Sequence, residues 1–156
     1  MAASSKAYVC PSCGGLLDVV YDFQIKDPEE IKHIFLQRRL SNHPLDISGV
    51  WRYRELLPFC HDFSKIISIQ EGNTPIYNAP RCAKYVGLKK LYLKHQGLNP
   101  TGSFKDNGMT AGVTQANLMN SKIVACASTG NTSASMAAYA ARAGMKAVIF
   151  IPDQQI

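Results

Sequence analysis

Lys105 is the side chain best placed by its neighbours to do chemistry. It stands in the run Asn99-Pro100-Thr101-Gly102-Ser103-Phe104-Lys105-Asp106-Asn107-Gly108, which opens with turn formers and closes in a helix. Ser103 is the expected N-cap, with Phe104 and Lys105 in the first turn, where unpaired backbone N–H groups and the helix dipole raise the local positive potential. That field disfavours a cation by only ~0.3–1 kcal/mol, yet it acts towards the neutral amine, the nucleophile that Schiff-base formation needs. Taken alone, the pattern fits a solvated first-turn lysine better than a catalytic one. A second loop, Ser128-Thr129-Gly130-Asn131-Thr132, also follows a strand-like run and opens a helix. Its hydroxyls, its amide and its free N–H groups could form an anion-binding nest. Taken alone, it fits a plain N-cap and turn equally well.

Other reactive residue types are less well placed. Cys10 and Cys13 in Cys10-Pro11-Ser12-Cys13-Gly14-Gly15 have the spacing of one zinc knuckle, but the sequence holds no second close pair, and Cys60 with His61 is poorly ordered and spaced to complete a tetrahedral set. A metal-free turn is expected, and one tightly held zinc in purified protein would overturn that. Cys126 lies in an apolar run and reads as core. His95 ends a strand near the proposed ligand edge, with a structural hydrogen bond as its main reading and a site role as the other. Trp51 and Tyr53 read as packing.

The elements that must position these loops fall into two stretches. Residues 1–64 read as an N-terminal appendage with one helix, Pro28 to Leu40, in which Ile31, Ile34, Phe35 and Leu36 recur at helical spacing, Asp27 caps and Pro28 takes the first helical position. Residues 65–156 alternate. Lys65 to Ile69 and Leu91 to His95 are β-prone, Phe104 to Met119 is helical, Ile123 to Ser128 is strand-like, Thr132 to Arg142 is helical, and Ala147 to Ile151 is again strand-like. Such alternation predicts an α/β fold with a parallel sheet, whose carboxyl edge would carry both loops. Gly144 stands where a left-handed helix cap is needed, and Pro152 ends the last strand. The chain stops at Ile156 directly after a strand, so an incomplete sheet, and hence a fragment, is expected.

Bulk properties bound the function. The 156 residues are 46% hydrophobic and 18% charged, an ordinary globular composition. The net charge of +6 is spread along the chain in short pairs such as Arg38-Arg39, with no basic stripe interleaved with aromatics. Nucleic acid is therefore not an expected partner. No apolar stretch approaches membrane-spanning length, Met1 to Lys6 lacks a signal core, and the cysteine count is odd, so no membrane association and a cytoplasmic location are expected.

Asn-Pro-Thr-Gly-Ser-Phe-Lys-Asp around Lys105 resembles the cofactor-lysine motif of the fold-type II pyridoxal-phosphate enzymes. Glu71-Gly72-Asn73-Thr74-Pro75-Ile76, a turn as bare sequence, resembles the signature that opens their catalytic region and serves here for register only. The resemblance implies pyridoxal 5'-phosphate as cofactor, joined to Lys105 beside Phe104. It puts Asn131 against the ring hydroxyl, with Ser128, Thr129 and Thr132 around a substrate carboxylate. Cys13 to Asp22 and Gly49 to Pro58 resemble the threonine synthase branch of the family more than the threonine/serine dehydratases or cysteine synthases. That branch implies O-phosphohomoserine as the small-molecule substrate, threonine and phosphate as products, and allows a homodimer of the full-length protein. A dehydratase, a cysteine synthase and a non-catalytic partner-binding fragment remain the alternatives. The family's Gly-rich phosphate loop and the residue that sets the ring nitrogen come later than Ile156. The isolated chain mixed with pyridoxal phosphate is therefore expected to show little absorbance from lysine-bound cofactor; a stoichiometric band that vanishes in Lys105→Ala would contradict this.

Overall fold

The computed structural model describes residues 7–21, 23 and 27–153; the readings on Met1 to Lys6, Asp22 and Ile156 lie outside the described residues. Helix α1 spans Pro28–Arg38, starting where Asp27 accepts a hydrogen bond from the Glu29 N–H, with Pro28 at the first position as the sequence predicts. It is held from its end by charge: Arg38 makes two hydrogen bonds to the Glu55 carboxylate and one, at 2.6 Å, to the Arg52 carbonyl. Ile31, Ile34 and Phe35 are half-buried, while Leu36 is 61% exposed. Phe35 meets the Tyr53 ring edge-on with centroids 4.8 Å apart. The short α2, Pro44–Ile47, leads into a 3-10 turn over Trp51–Leu56.

The Ile-rich run after Ser64 departs from expectation. Phe63–Lys65 forms a 3-10 turn, and Ile66 to Ile69 pairs with no strand. Its backbone is instead satisfied by side chains of α4, Lys105–Leu118. Thr114 Oγ1 accepts from the Ile67 N–H at 2.9 Å, Thr110 Oγ1 donates to the Ile67 carbonyl at 2.7 Å, and Asn117 Nδ2 donates to the Lys65 carbonyl at 2.8 Å. Residues 110, 114 and 117 lie on one face of a helix, so a polar stripe does the work of a neighbouring strand. Trp51 is fully buried and its indole N–H donates to the same Thr110 Oγ1 at 2.7 Å. Its packing role is as read from the sequence.

Two separate strand pairs follow. β1, Ile76–Asn78, and β2, Tyr92–Lys94, pair antiparallel on either side of α3, Pro80–Tyr85. β3, Ile123–Ala127, and β4, Lys146–Phe150, pair parallel around α5, Asn131–Arg142, with Ile123 opposite Lys146 and Ala127 opposite Phe150. The molecule is α/β with a parallel pair, as expected, but the predicted strand at Leu91 to His95 does not join it. Pro75 and Leu91 carbonyls take the N–H groups of His95 and Ala79 at 3.0 and 2.9 Å, extending the antiparallel ladder that captures this strand.

Helix α5 ends as predicted. Gly144 adopts φ +67°, and the Met145 N–H returns to the Ala140 carbonyl at 2.9 Å. Tyr139, Ala140, Met145 and Val113 form the buried apolar centre between α4, α5 and the parallel pair. β3 alternates exposed and half-buried residues, so Cys126 is half-buried rather than core, since helices cover only one face of this pair.

Thr110→Val keeps the shape but strands the Trp51 indole N–H and the Ile67 carbonyl. It is expected to cost ~1–3 kcal/mol, read as a lower urea midpoint with an unchanged m-value.

Candidate functional site

Lys105 opens α4. The N-cap is Phe104 rather than the expected Ser103, because the helix starts one residue later; the Lys105 N–H still donates to Ser103 Oγ at 3.0 Å, in the turn just ahead of the helix. Gly102, at φ +79°, turns the chain into this start. Lys105 is half-buried, and its Nζ lies 4.8 Å from the centroid of the exposed Phe104 ring. None of the ion pairs among the described residues involves it. The adjacent carboxylate explains why: Asp106 is fully buried and engaged elsewhere. It accepts from the Thr101 N–H at 2.8 Å and from the hydroxyls of Thr101 and Ser135, each at 2.5 Å. A buried carboxylate needs several donors to offset the loss of water, and all of these come from the Lys105 loop and α5.

The loop is pinned at its other end by Asn99, also buried. Asn99 Oδ1 accepts from the Gly72 N–H at 2.8 Å, and Nδ2 donates to both the carbonyl and the side-chain oxygen of Gln96 at 2.9 Å. His95 is exposed, its ring edge-on to Tyr77 with centroids 6.2 Å apart. Its imidazole lies so close over Gly97 that a Cβ there would sit 2.8 Å from His95 Cε1.

The second loop leaves the carboxyl end of β3. The Ser128 N–H donates to the Phe150 carbonyl at 3.2 Å, extending the parallel ladder by one bond. Ser128 Oγ accepts from the Gly130 N–H at 3.2 Å, and Ser133 Oγ donates to the Gly130 carbonyl at 2.7 Å. Helical hydrogen bonding starts with the Ala134 N–H on the Gly130 carbonyl, so the N–H groups of Asn131, Thr132 and Ser133 precede the ladder. Thr129 and Asn131 are exposed; Ser128 and Thr132 are half-buried. An open cleft of about 380 Å³ lies at the carboxyl ends of β3 and β4, lined by Ala127, Ser128, Thr129, Phe150, Ile151 and Pro152. That edge is where open α/β sheets take ligands. The Asp106–Ser135 hydrogen bond ties the first turn of α4 to α5 one turn after Asn131, so helix packing, rather than a shared sheet edge, relates the two loops.

Sequence reasoning passed over Glu71, used for register only. Its side chain is fully buried, and its carboxylate accepts from the hydroxyls of Ser48 at 2.5 Å, Tyr139 at 2.7 Å and Ser68 at 3.1 Å, and from the Ile69 N–H at 3.2 Å. The one signal was Ser68 three positions earlier, the spacing of a capping box without a helix. Burial, then the charge of Glu71 and the hydrogen bond to it, raise the Tyr139 phenol well above its ordinary value of 10.0.

Elsewhere, the Cys10 N–H donates to the Gly15 carbonyl at 2.8 Å, closing a tight turn. The backbone N–H groups of Ser12 and Cys13 lower the Cys10 thiol from its usual value. Among the described residues, no group of three or more His, Cys, Asp or Glu gathers to hold a metal ion, and no helix is long and apolar enough to cross a membrane.

Residues 67–155 match the pyridoxal-phosphate dependent enzyme family, and the chain belongs to it. Over 149 residues, 96% of this chain, it is 50% identical to the threonine synthase of Methanocaldococcus jannaschii, and over 151 residues it is 48% identical to that of Methanosarcina acetivorans. It is also 51% identical to the threonine synthase of Synechocystis sp. over 102 residues, 65% of this chain. The chain spans about a third, 34%, of the length of the first two relatives and 26% of the third. The residues fit the group for which the family is named. They supply an amine outside any described ion pair at a helix start, N–H groups ahead of the α5 ladder, and a buried acceptor without a partner, Asn107 Oδ1, two residues after Lys105.

Because the folded state holds the Tyr139 proton more tightly than the unfolded state does, that stability is complete below pH 10 and is lost as pH rises beyond it. Tyr139→Phe is expected to lower the urea midpoint at pH 8 and to flatten the loss of midpoint between pH 8 and pH 11 relative to wild type.

Proposed function

We propose that this chain carries the cofactor-lysine part of a threonine synthase, which converts O-phosphohomoserine and water to threonine and phosphate. The observation that carries this reading is the reach of the identity. It covers 96% of the chain at 50%, beyond the 67–155 stretch that the family as a whole matches, and so includes the N-terminal segment. On this reading the protein works in the cytoplasm on a small-molecule substrate, and the reading allows a homodimer of the full-length form.

Lys105 would hold the cofactor through its amine and, once the substrate displaces it, carry protons between substrate positions as acid and base. When bound, the cofactor's ring spreads the negative charge of a substrate carbanion. Phe104 would pack beside the cofactor and Asn131 would donate to its ring hydroxyl. Ser128, Thr129 and Thr132 would bind the substrate carboxylate, with the N–H groups that open α5 adding positive potential. The absence of a described ion pair at Lys105 supports its part, because a salt-bridged ammonium is a poor nucleophile.

The full-length protein should release phosphate from O-phosphohomoserine and form threonine in equal amount, and Lys105→Ala should lower that rate by at least about 10³-fold. Deamination of serine or threonine without phosphate release would instead make it a dehydratase.

A further inference from the structure

Helix α5 presents two hydroxyls at i, i+4 spacing, Ser135 and Tyr139, both buried and each donating to a different buried carboxylate. Tyr139 meets Glu71, which belongs to the segment ahead of β1. Ser135 meets Asp106, whose remaining partners are the Thr101 N–H and hydroxyl. Thr101 and Asp106 bracket the four residues Gly102 to Lys105, so one carboxylate closes this loop onto its own helix and fastens it to the helix that begins at Asn131. The side chains on this path are shielded from solvent: Asp106 and Ser135 have no exposed surface, and Thr101 is half-buried. Both oxygens of Asp106 accept hydrogen bonds, from Thr101 and Ser135, and no described ion pair joins Asp106 to Lys105.

We propose that Asp106 is a positioning residue for Lys105, acting with Ser135 and Thr101 as a clasp that sets where the lysine's turn stands relative to the Asn131 turn. Within this clasp Ser135 fixes one carboxylate oxygen, the Thr101 N–H fixes the other, and the Thr101 hydroxyl locks their orientation. The role rests on the reading of Lys105 as the cofactor lysine. Glu71 and Tyr139 form a second joint one turn along α5, within reach of the Asp106 charge but sharing none of its hydrogen bonds, which supplies an internal comparison of the same chemistry.

The test uses the full-length apoprotein and its Asp106→Asn, Ser135→Ala and Tyr139→Phe variants. Asparagine cannot accept from all three donors; Ser135→Ala removes one donor with little change of shape and keeps the test open where Asp106→Asn does not fold. Two quantities are read: amide hydrogen exchange at Thr101, and the rate at which pyridoxal phosphate is captured on Lys105, followed by borohydride quenching and peptide mass. Ser135→Ala is expected to speed Thr101 exchange about 10-fold and to slow capture roughly 10- to 100-fold, as misplacement of a reacting group does. Tyr139→Phe should leave both near wild type even though it lowers the melting temperature. Equal effects of Ser135→Ala and Tyr139→Phe on capture, or unchanged Thr101 exchange in Ser135→Ala, overturn the clasp while Lys105 keeps its assignment. Capture by the wild type at a different lysine overturns the functional reading itself, whatever the exchange data show.

Discussion

Two carboxylates lie with no exposed surface between the helices and loops of this protein, and the arrangement around them follows from that single cost. Removing an ionised carboxylate from water is prohibitive unless several donors replace the lost solvent. Glu71 meets the requirement with three hydroxyls and a backbone N–H, and Asp106 with two hydroxyls and a backbone N–H. These donors come from segments far apart in sequence, so satisfying the charges fixes their relative placement. Breaking one such bond leaves a buried charge short of a partner, a larger loss than an ordinary surface pair would give.

The same constraint explains how Lys105 keeps an amine outside any described ion pair beside an aspartate. Adjacent residues on a helix point about 100° apart, and Asp106 is turned into the α4–α5 contact while the lysine chain lies along Phe104. The donors to that carboxylate come from Thr101 and from Ser135 of α5.

Much of this was legible in the sequence where local chemistry decides. Asp27 and Pro28 at the start of α1, the extent of α4 and α5 to within a residue at either end, and the left-handed Gly144 each follow from a residue whose preferences act within one turn. Partner choice was not legible. The Ile66 to Ile69 run has strand composition, yet α4 satisfies its backbone through Thr110, Thr114 and Asn117, and no propensity encodes a helix standing in for a strand. β2 reads like β3, but its ladder is antiparallel because the short α3 connection returns it to β1. Glu71 looked like part of a turn because its donors, Ser48 and Tyr139, lie 23 and 68 positions away. The candidate site divides along the same line: the lysine and the asparagine stand out in their loops, whereas the aspartate and serine between them acquire meaning only from the packing.

Gly49 and Gly72 touch through their backbones. A Cβ on Gly49 would lie 2.0 Å from the Asn73 nitrogen, and one on Gly72, at φ +76°, would lie 2.8 Å from Gly49 Cα. The Gly49 N–H also donates to the Glu71 carbonyl at 2.7 Å, next to the Ser48 hydroxyl on the same residue's carboxylate. A recombinant product trimmed to residues 67–155, the stretch that the family match covers, would discard this seam. It would leave Glu71 facing solvent on the side that Ser48 now closes. Anyone designing a shortened or chimeric version of this protein should therefore place the junction upstream of Asp46 rather than at the border suggested by family similarity.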